Sequence, residues 1–218
     1  MVNYDTLAGD VNSNVSLVED FNGQIFLKGM IHELGHAFGL PHIGPDPELG
    51  LGNSLMGPVT TLYVAKKWPK PDQVYLDEAS AAMLWKHPIF SATNFGSFRP
   101  ASLKVLDYKS AYDSTNDCVT LSGKVFSDPP AHTVVVLDDL GKPDNMYWSQ
   151  SHAARIATDG AFKVAIRHPA KVDGHYHILF CLDNGAVTGD GQHVRFINRG
   201  DIKKPYRFRD GSFEFGER

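Results

Sequence analysis

The chain has 218 residues, 42% of them hydrophobic, and a net charge of −4. That is enough apolar chain for one large domain or two small ones, and so weak an acidity gives no electrostatic case for binding nucleic acid or an anionic membrane. No run of about 18 apolar residues is present, so no membrane span is expected; no basic-then-apolar leader opens the chain; and two cysteines are too few for a disulfide scaffold or a cysteine-rich metal site.

Met1 to Asn22 is short and polar, with one strand expected around Asn14–Val18. A helix is expected from near Gly23 to Gly39. It carries His32-Glu33-Leu34-Gly35-His36-Ala37-Phe38-Gly39-Leu40-Pro41-His42, the pattern H-E-x-x-H-x-x-G-x-x-H. Residues i and i+4 share a helix face, so His32 and His36 point the same way and can hold one metal ion. Glu33 lies about 100° around the helix from His32, near enough to reach a metal-bound water without being a ligand. Gly39 lets the chain leave the helix in a conformation other residues resist, and the turn returns His42 as a third ligand. Three protein ligands leave a fourth position open, as in a catalytic rather than a structural zinc site. Leu27, Ile31, Leu34 and Phe38 form an apolar stripe roughly opposite the histidines. The stripe is expected to be buried while the histidines face a cleft. A core helix with merely hydrogen-bonded histidines does not account for the added spacing to Gly39 and His42.

The loop from Ile43 to Asn53 carries Asp46, Glu48 and Asn53, whose oxygens are of calcium-binding type. A solvated loop explains them more simply. Asp46 is alternatively a carboxylate that steadies a zinc histidine. Ser54-Leu55-Met56-Gly57-Pro58 follows, a turn by its Gly and Pro. The histidine pattern and this later methionine turn resemble the metzincin zinc peptidases. The resemblance covers roughly Gly23 to Pro58 and, more loosely, the chain to Phe90. It implies that His32, His36 and His42 bind Zn2+, that Glu33 is the general base, and that Met56 is the methionine beneath the metal. The family places a multi-stranded sheet before its zinc helix, and the edge strand of that sheet pairs with substrate. With the motif starting at residue 32, this N-terminal sheet is expected to be short or missing. Tyr63 and Tyr75 lie too far beyond Met56 for the family's tyrosine near the metal, whose place Pro58 takes; they read as packing or cleft surface. Lys66, Lys67 and Lys70 read as a solvated loop. Asp77 is expected to cap a helix from Glu78 to about Lys86, which Pro88 stops.

Phe90 to Ala101 is rich in Ser, Gly, Asn, Phe and Pro, and the boundary between two modules is expected there. Beyond it the pattern changes to period two. Strands are expected at Leu103–Tyr108, Val119–Phe126, Thr133–Asp138, Met146–Ile156, Phe162–Arg167, Tyr176–Asp183 and His193–Asn198, separated by turn signals such as Asp128-Pro129-Pro130 and Asp183-Asn184-Gly185. Short strands at this density favour an antiparallel sandwich. Asp173-Gly174-His175-Tyr176 resembles the penultimate strand of immunoglobulin-like and fibronectin-like modules, which implies a corner tyrosine at Tyr176. Alternation puts Cys118 and Cys181 on the faces away from Val119, Leu121 and Phe180, so the two thiols are expected to be unlinked. His175 and His177 share one strand side, where a solvated face is a simpler reading than a metal site.

The expected fold class is therefore α+β: a metzincin-like zinc module over residues 1–100, followed by an immunoglobulin-like β-sandwich over residues 101–218. The expected activity is hydrolysis of a peptide or protein substrate by metal-activated water, with Glu33 as base. Two other readings use the same residues. One is a non-catalytic zinc-containing binding or adhesion protein that recognises its partner through the sandwich. The other is zinc-dependent hydrolysis of a non-peptide amide. The family resemblance implies a secreted or cell-surface protein. The oligomeric state is not read from the sequence.

Overall fold

The computed structural model describes residues 27–46, 48–57, 74–91, 102–140, 148–193 and 199–216. The strand expected around Asn14–Val18, Tyr63, the three lysines, most of the expected boundary stretch and nearly all of the strand expected at His193–Asn198 lie outside those residues. The chain clusters into two compact units, Met1–Asp77 with Met146–Gln150 and Glu78–Asn145 with Ser151–Arg218.

In the first unit, helix α1 (Leu27–Ala37) is followed by two short strands, β1 (Asn53–Ser54) and β2 (Val74–Tyr75). The strands pair in parallel, Asn53 with Val74 and Ser54 with Tyr75. Trp148 to Gln150 belong to this unit. The Gly44 N–H donates to the Ser149 carbonyl at 2.8 Å, and the Gln150 side-chain Nε2 donates to the Pro45 carbonyl at 3.2 Å. A side chain at Gly44 would strike the Trp148 backbone at 2.7 Å, so this close approach requires glycine.

The second unit opens with helix α2 (Glu78–Leu84) and continues as β3 (Ser102–Asp113), β4 (Cys118–Asp128), β5 (Ala131–Asp139), β6 (Gln150–Arg155), β7 (Ala161–Arg167), β8 (Gly174–Leu182), β9 (Val187–Thr188), β10 (Ile202–Arg209) and β11 (Ser212–Phe215). One sheet has the order β3-β4-β7. The other has the order β11-β10-β8-β5-β6, with β9 added beside β8. Period-two alternation sends Val119, Leu121 and Val125 of β4 and Phe162, Val164 and Ile166 of β7 inward. They meet Val134 and Val136 of β5 and Ile178, Phe180 and Leu182 of β8, with the Phe162 and Phe180 rings 5.6 Å apart. Each such fully buried side chain contributes roughly 1.5–3 kcal/mol of transfer free energy.

The central strands β5 and β8 are buried on both faces. Val135, Leu137, Leu179 and Cys181 are buried along with their inward-facing neighbours. Cys118 and Cys181 are both free thiols. Cys181 nevertheless does not face solvent, and burial pushes its thiol up to about 12. Its strand neighbour Thr133 is buried as well.

The D-G-x-Y segment has a physical reason at each position. Asp173 takes both arms of the Arg209 guanidinium at 2.7 Å and the Phe208 N–H at 3.0 Å, tying the start of β8 to β10. A side chain at Gly174 would overlap the Tyr206 hydroxyl. Tyr176 is fully buried and stacks on Tyr206 at 4.5 Å. Its hydroxyl has no hydrogen-bond partner among the described residues, so it does not act as the hydrogen-bonded corner tyrosine. Tyr206 makes the polar contact instead, donating to Asp138 at 2.6 Å.

Two findings correct the expected fold class. The described residues are mostly antiparallel sheet, with two short helices of 11 and 7 residues, and they form no α+β metzincin catalytic domain around a zinc helix. The helix after the methionine turn, which the expected boundaries place in the zinc module, clusters with the sandwich. The hairpin β10–β11 adds strands that the sequence reading omits. It turns on Asp210 and Gly211, both at positive φ, as a two-residue hairpin of primed type requires.

Burial pushes the Asp138 carboxyl up to about 6, against the opposing Tyr206 hydrogen bond. The folded state therefore holds this proton up to about pH 6, whereas the unfolded chain releases it near pH 4. The stabilisation is complete below about pH 4 and is lost as pH rises through about 6, a change of roughly 3 kcal/mol. Urea unfolding of wild type and Asp138→Asn between pH 4 and 7 measures it. The wild type should lose stability relative to the variant across that window; equal pH slopes would show that folding does not raise the pKa of Asp138.

Candidate metal centre

The site is built on the end of α1. Gly39 has a φ of 83°. The Leu40 N–H reaches back to the Gly35 carbonyl at 3.0 Å and the Gly39 N–H to the His36 carbonyl at 2.8 Å. These two bonds form a Schellman motif, which ends the helix and reverses the chain. The reversal places two groups. The Leu40 carbonyl comes within 2.9 Å of His36 Nδ1, and His42 returns so that its Nε2 lies 3.0 Å from His36 Nε2.

The second support is the turn at residues 54–57, closed by the Gly57 N–H on the Ser54 carbonyl at 3.0 Å. Its Leu55 carbonyl accepts from His32 Nδ1 at 2.8 Å, and its Met56 carbonyl accepts from the Ile43 N–H at 3.1 Å. The Ser54 hydroxyl donates to Asp77 and accepts from the Met56 N–H, both at 3.3 Å. β2 holds the turn from behind, the Tyr75 carbonyl accepting from the Leu55 N–H at 2.8 Å. Met56 is fully buried, and its sulfur occupies the space that a side chain at Gly35 would need.

A carbonyl oxygen only accepts. Nδ1 of His32 and of His36 must therefore carry the proton, which leaves Nε2 of each neutral ring as the lone-pair atom. The ligand nitrogens of His32, His36 and His42 all lie within 4.8 Å of one another. Two nitrogens on one tetrahedral zinc, each at about 2.0–2.1 Å, stand about 3.3 Å apart. The 3.0 Å between His36 and His42 is close to that spacing. Burial lowers the pKa of His32 and pushes His42 down to about 4, where the neighbouring His36 and His32 add to the effect. Both rings are thus neutral and able to donate to a metal at pH 7. The donor set, its tautomers and its spacing fit a zinc ion, and this triad is the only group of three or more such side chains with converging ligand atoms among the described residues.

Glu33 stands outside the converging set. It is exposed, and its charge acts on His32. Asp46 accepts the Glu48 N–H at 2.8 Å, and its own N–H donates to the Tyr75 hydroxyl at 2.7 Å. The carbonyls of Leu55 and Leu40 steady His32 and His36, the task considered for the Asp46 carboxylate.

The apolar stripe of α1 is not buried as expected. Ile31 is 37% exposed and Leu34 50%, while His32 is 4% exposed. The helix packs its His32–Gly35 side against the methionine turn. Sequence reasoning missed Gly35 as a site residue. A glycine inside a helix is the signal for such a close approach, because it costs helix stability unless packing uses it.

No family model and no curated protein sequence matches this chain. Among solved structures it is similar to wild-type OgpA from Akkermansia muciniphila in two crystal forms, with TM-scores of 0.68 and 0.66 at 21% and 22% identity. It is also similar to catalytically inactive OgpA in complex with an O-glycopeptide (glycodrosocin) substrate, with a TM-score of 0.67 at 20% identity. Each match covers 88% of this chain and 51% of the OgpA chain, so this chain spans about half the length of those structures. At that identity the shared property is the fold.

The Gly35–Met56 contact is tested by a double-mutant cycle. Gly35→Ala gains about 1 kcal/mol of helix propensity but overpacks a buried sulfur, at a cost of about 1–3 kcal/mol. The expected outcome is a less stable protein with weaker zinc retention. Met56→Ala opens the space, so the double variant should be more stable than the two single losses summed. Strict additivity in thermal melts would show that the two positions do not touch.

Proposed function

We propose that this chain is the metal-bearing part of a zinc metalloendopeptidase with the metzincin motif, acting on peptides that carry O-linked sugars. The observation that carries the reading is the convergence of three imidazoles, two of them with their Nδ1 protons fixed by carbonyls, with a carboxylate beside the set but outside it. Fold similarity to OgpA, whose inactive form was captured with an O-glycopeptide substrate, supports the choice of substrate class.

His32, His36 and His42 would hold a zinc ion, which would supply a Lewis acid for the scissile carbonyl and lower the pKa of a water at the site. Glu33 takes the proton of the attacking water and returns it to the leaving amine. Because the Leu40 and Leu55 carbonyls hold two of the rings in place, the ligand set needs little reorganisation as charge develops. No serine or cysteine nucleophile takes part. The sandwich serves as an accessory module for recognition.

Glu33→Gln removes the base and keeps the shape. The variant should retain zinc like the wild type, while turnover of an O-glycosylated peptide falls by about 10²–10⁴-fold. The same peptide without its sugar serves as the specificity control. Equal, chelator-sensitive cleavage by both proteins would remove Glu33 from the mechanism. Zinc retention without cleavage of either peptide by the wild type would favour the non-catalytic binding reading.

A further inference from the structure

The second unit contains a cavity of about 250 Å³ between α2 and β6 that the metal chemistry does not use. Ala81 and Ala82 of α2 and Ala153 and Ala154 of β6 contribute only methyl groups to its lining. Trp85 stands at its side with 62% of its surface exposed, the most exposed large hydrophobic side chain among the described residues. The Arg155 guanidinium lies 5.9 Å from the indole centroid, at the outer limit of a cation–π contact, and leaves most of the ring uncovered. Glu78 and Lys86, one acidic and one basic residue, belong to the same lining, and the Lys86 charge acts on His132 there.

This combination selects by shape and by hydrogen bonding. An uncovered indole favours a ligand with one flat, C–H-bearing face. A lining that carries both signs of charge offers an ion repulsion on one side for each attraction on the other, whereas a hydroxyl both donates and accepts and can satisfy Glu78, Lys86 and Arg155 together. His132 adds a neutral imidazole, since burial lowers its pKa, and its Nδ1 is engaged by the Thr133 hydroxyl at 2.9 Å. The volume falls below the roughly 300–1,000 Å³ of a drug-sized site, so the cavity suits one ring rather than an extended chain. We propose that this cavity binds a single neutral sugar ring, stacked on Trp85 and held at its edge by Arg155 and Glu78. The proposal stands on this unit alone and does not depend on the peptidase reading.

Saturation-transfer NMR with the full chain and free glucose, galactose, N-acetylglucosamine and N-acetylgalactosamine tests it. At least one sugar should bind with a Kd on the order of 1 mM, as expected of so small a ligand. Transfer should concentrate on the C–H groups of one ring face. Trp85→Ala should weaken binding by about tenfold or more, and Trp85→Phe should restore part of it. Trp85 is exposed, so a thermal melt unchanged by the substitution confirms that the loss is local. Arg155→Met, which keeps the length and removes the hydrogen bonds, should weaken binding with the stacking signature retained. Binding should persist in the presence of a chelator. The proposal is overturned if none of the four sugars binds, if acetate binds there and the sugars do not, if Trp85→Ala binds as the wild type does, or if a chelator abolishes binding at an unchanged melting temperature.

Discussion

Three imidazoles can share one ion only if each turns a deprotonated nitrogen toward the same point. In this chain two backbone carbonyls impose that condition on His32 and His36. The Leu55 and Leu40 carbonyls each accept a hydrogen bond from an Nδ1–H, which keeps the proton on Nδ1 and leaves Nε2 with its lone pair. The Leu40 carbonyl is in place only because the helix ends at Gly39, and the Leu55 carbonyl only because the turn after β1 is held by Ser54 and Tyr75. The tautomers thus depend on the backbone, and the backbone depends on a glycine and a buried hydroxyl.

The second constraint is steric. Met56 lies under the helix because Gly35 has no side chain. A helix interior tolerates glycine poorly, so its presence between two histidines of the candidate metal site marks a contact, and the contact seats the turn against the helix beside His32. The same logic recurs in the sandwich, where Gly174 makes room for the Tyr206 hydroxyl that reaches Asp138. In both places a small residue admits a larger one from an element distant in sequence.

Much of this was legible in the sequence. The histidine spacing encodes its own geometry, because 3.6 residues per turn and a C-terminal glycine determine where three rings meet. The sandwich strands were legible through alternation wherever one face was buried and the other was not, as in Phe162, Val164 and Ile166 of β7. Legibility failed where that premise failed. β5 and β8 are buried on both faces, so alternation misplaced Cys181 in solvent. β10 contains two lysines and Pro205, which obscure a strand that pairs on both sides, and the Asp210-Gly211 turn after it was the stronger signal. The exposed stripe of α1 shows the limit of periodicity in another way. Period 3.6 identifies two faces, but which one packs was decided by Gly35 and Met56, not by hydrophobicity. The expected α+β class rested on the family resemblance, which covered the motif and little of the chain that folds into sheet.

The central claim is that one ion is held by three histidine nitrogens, with Met56 beneath the site and not bound to the metal. X-ray absorption at the zinc edge of the zinc-loaded chain tests it most directly. The account predicts a first shell of nitrogen and oxygen only, about four atoms at about 2.0–2.1 Å, with the outer-shell pattern of three imidazoles. A sulfur scatterer near about 2.3 Å, or an all-oxygen shell without imidazole scattering, would contradict it.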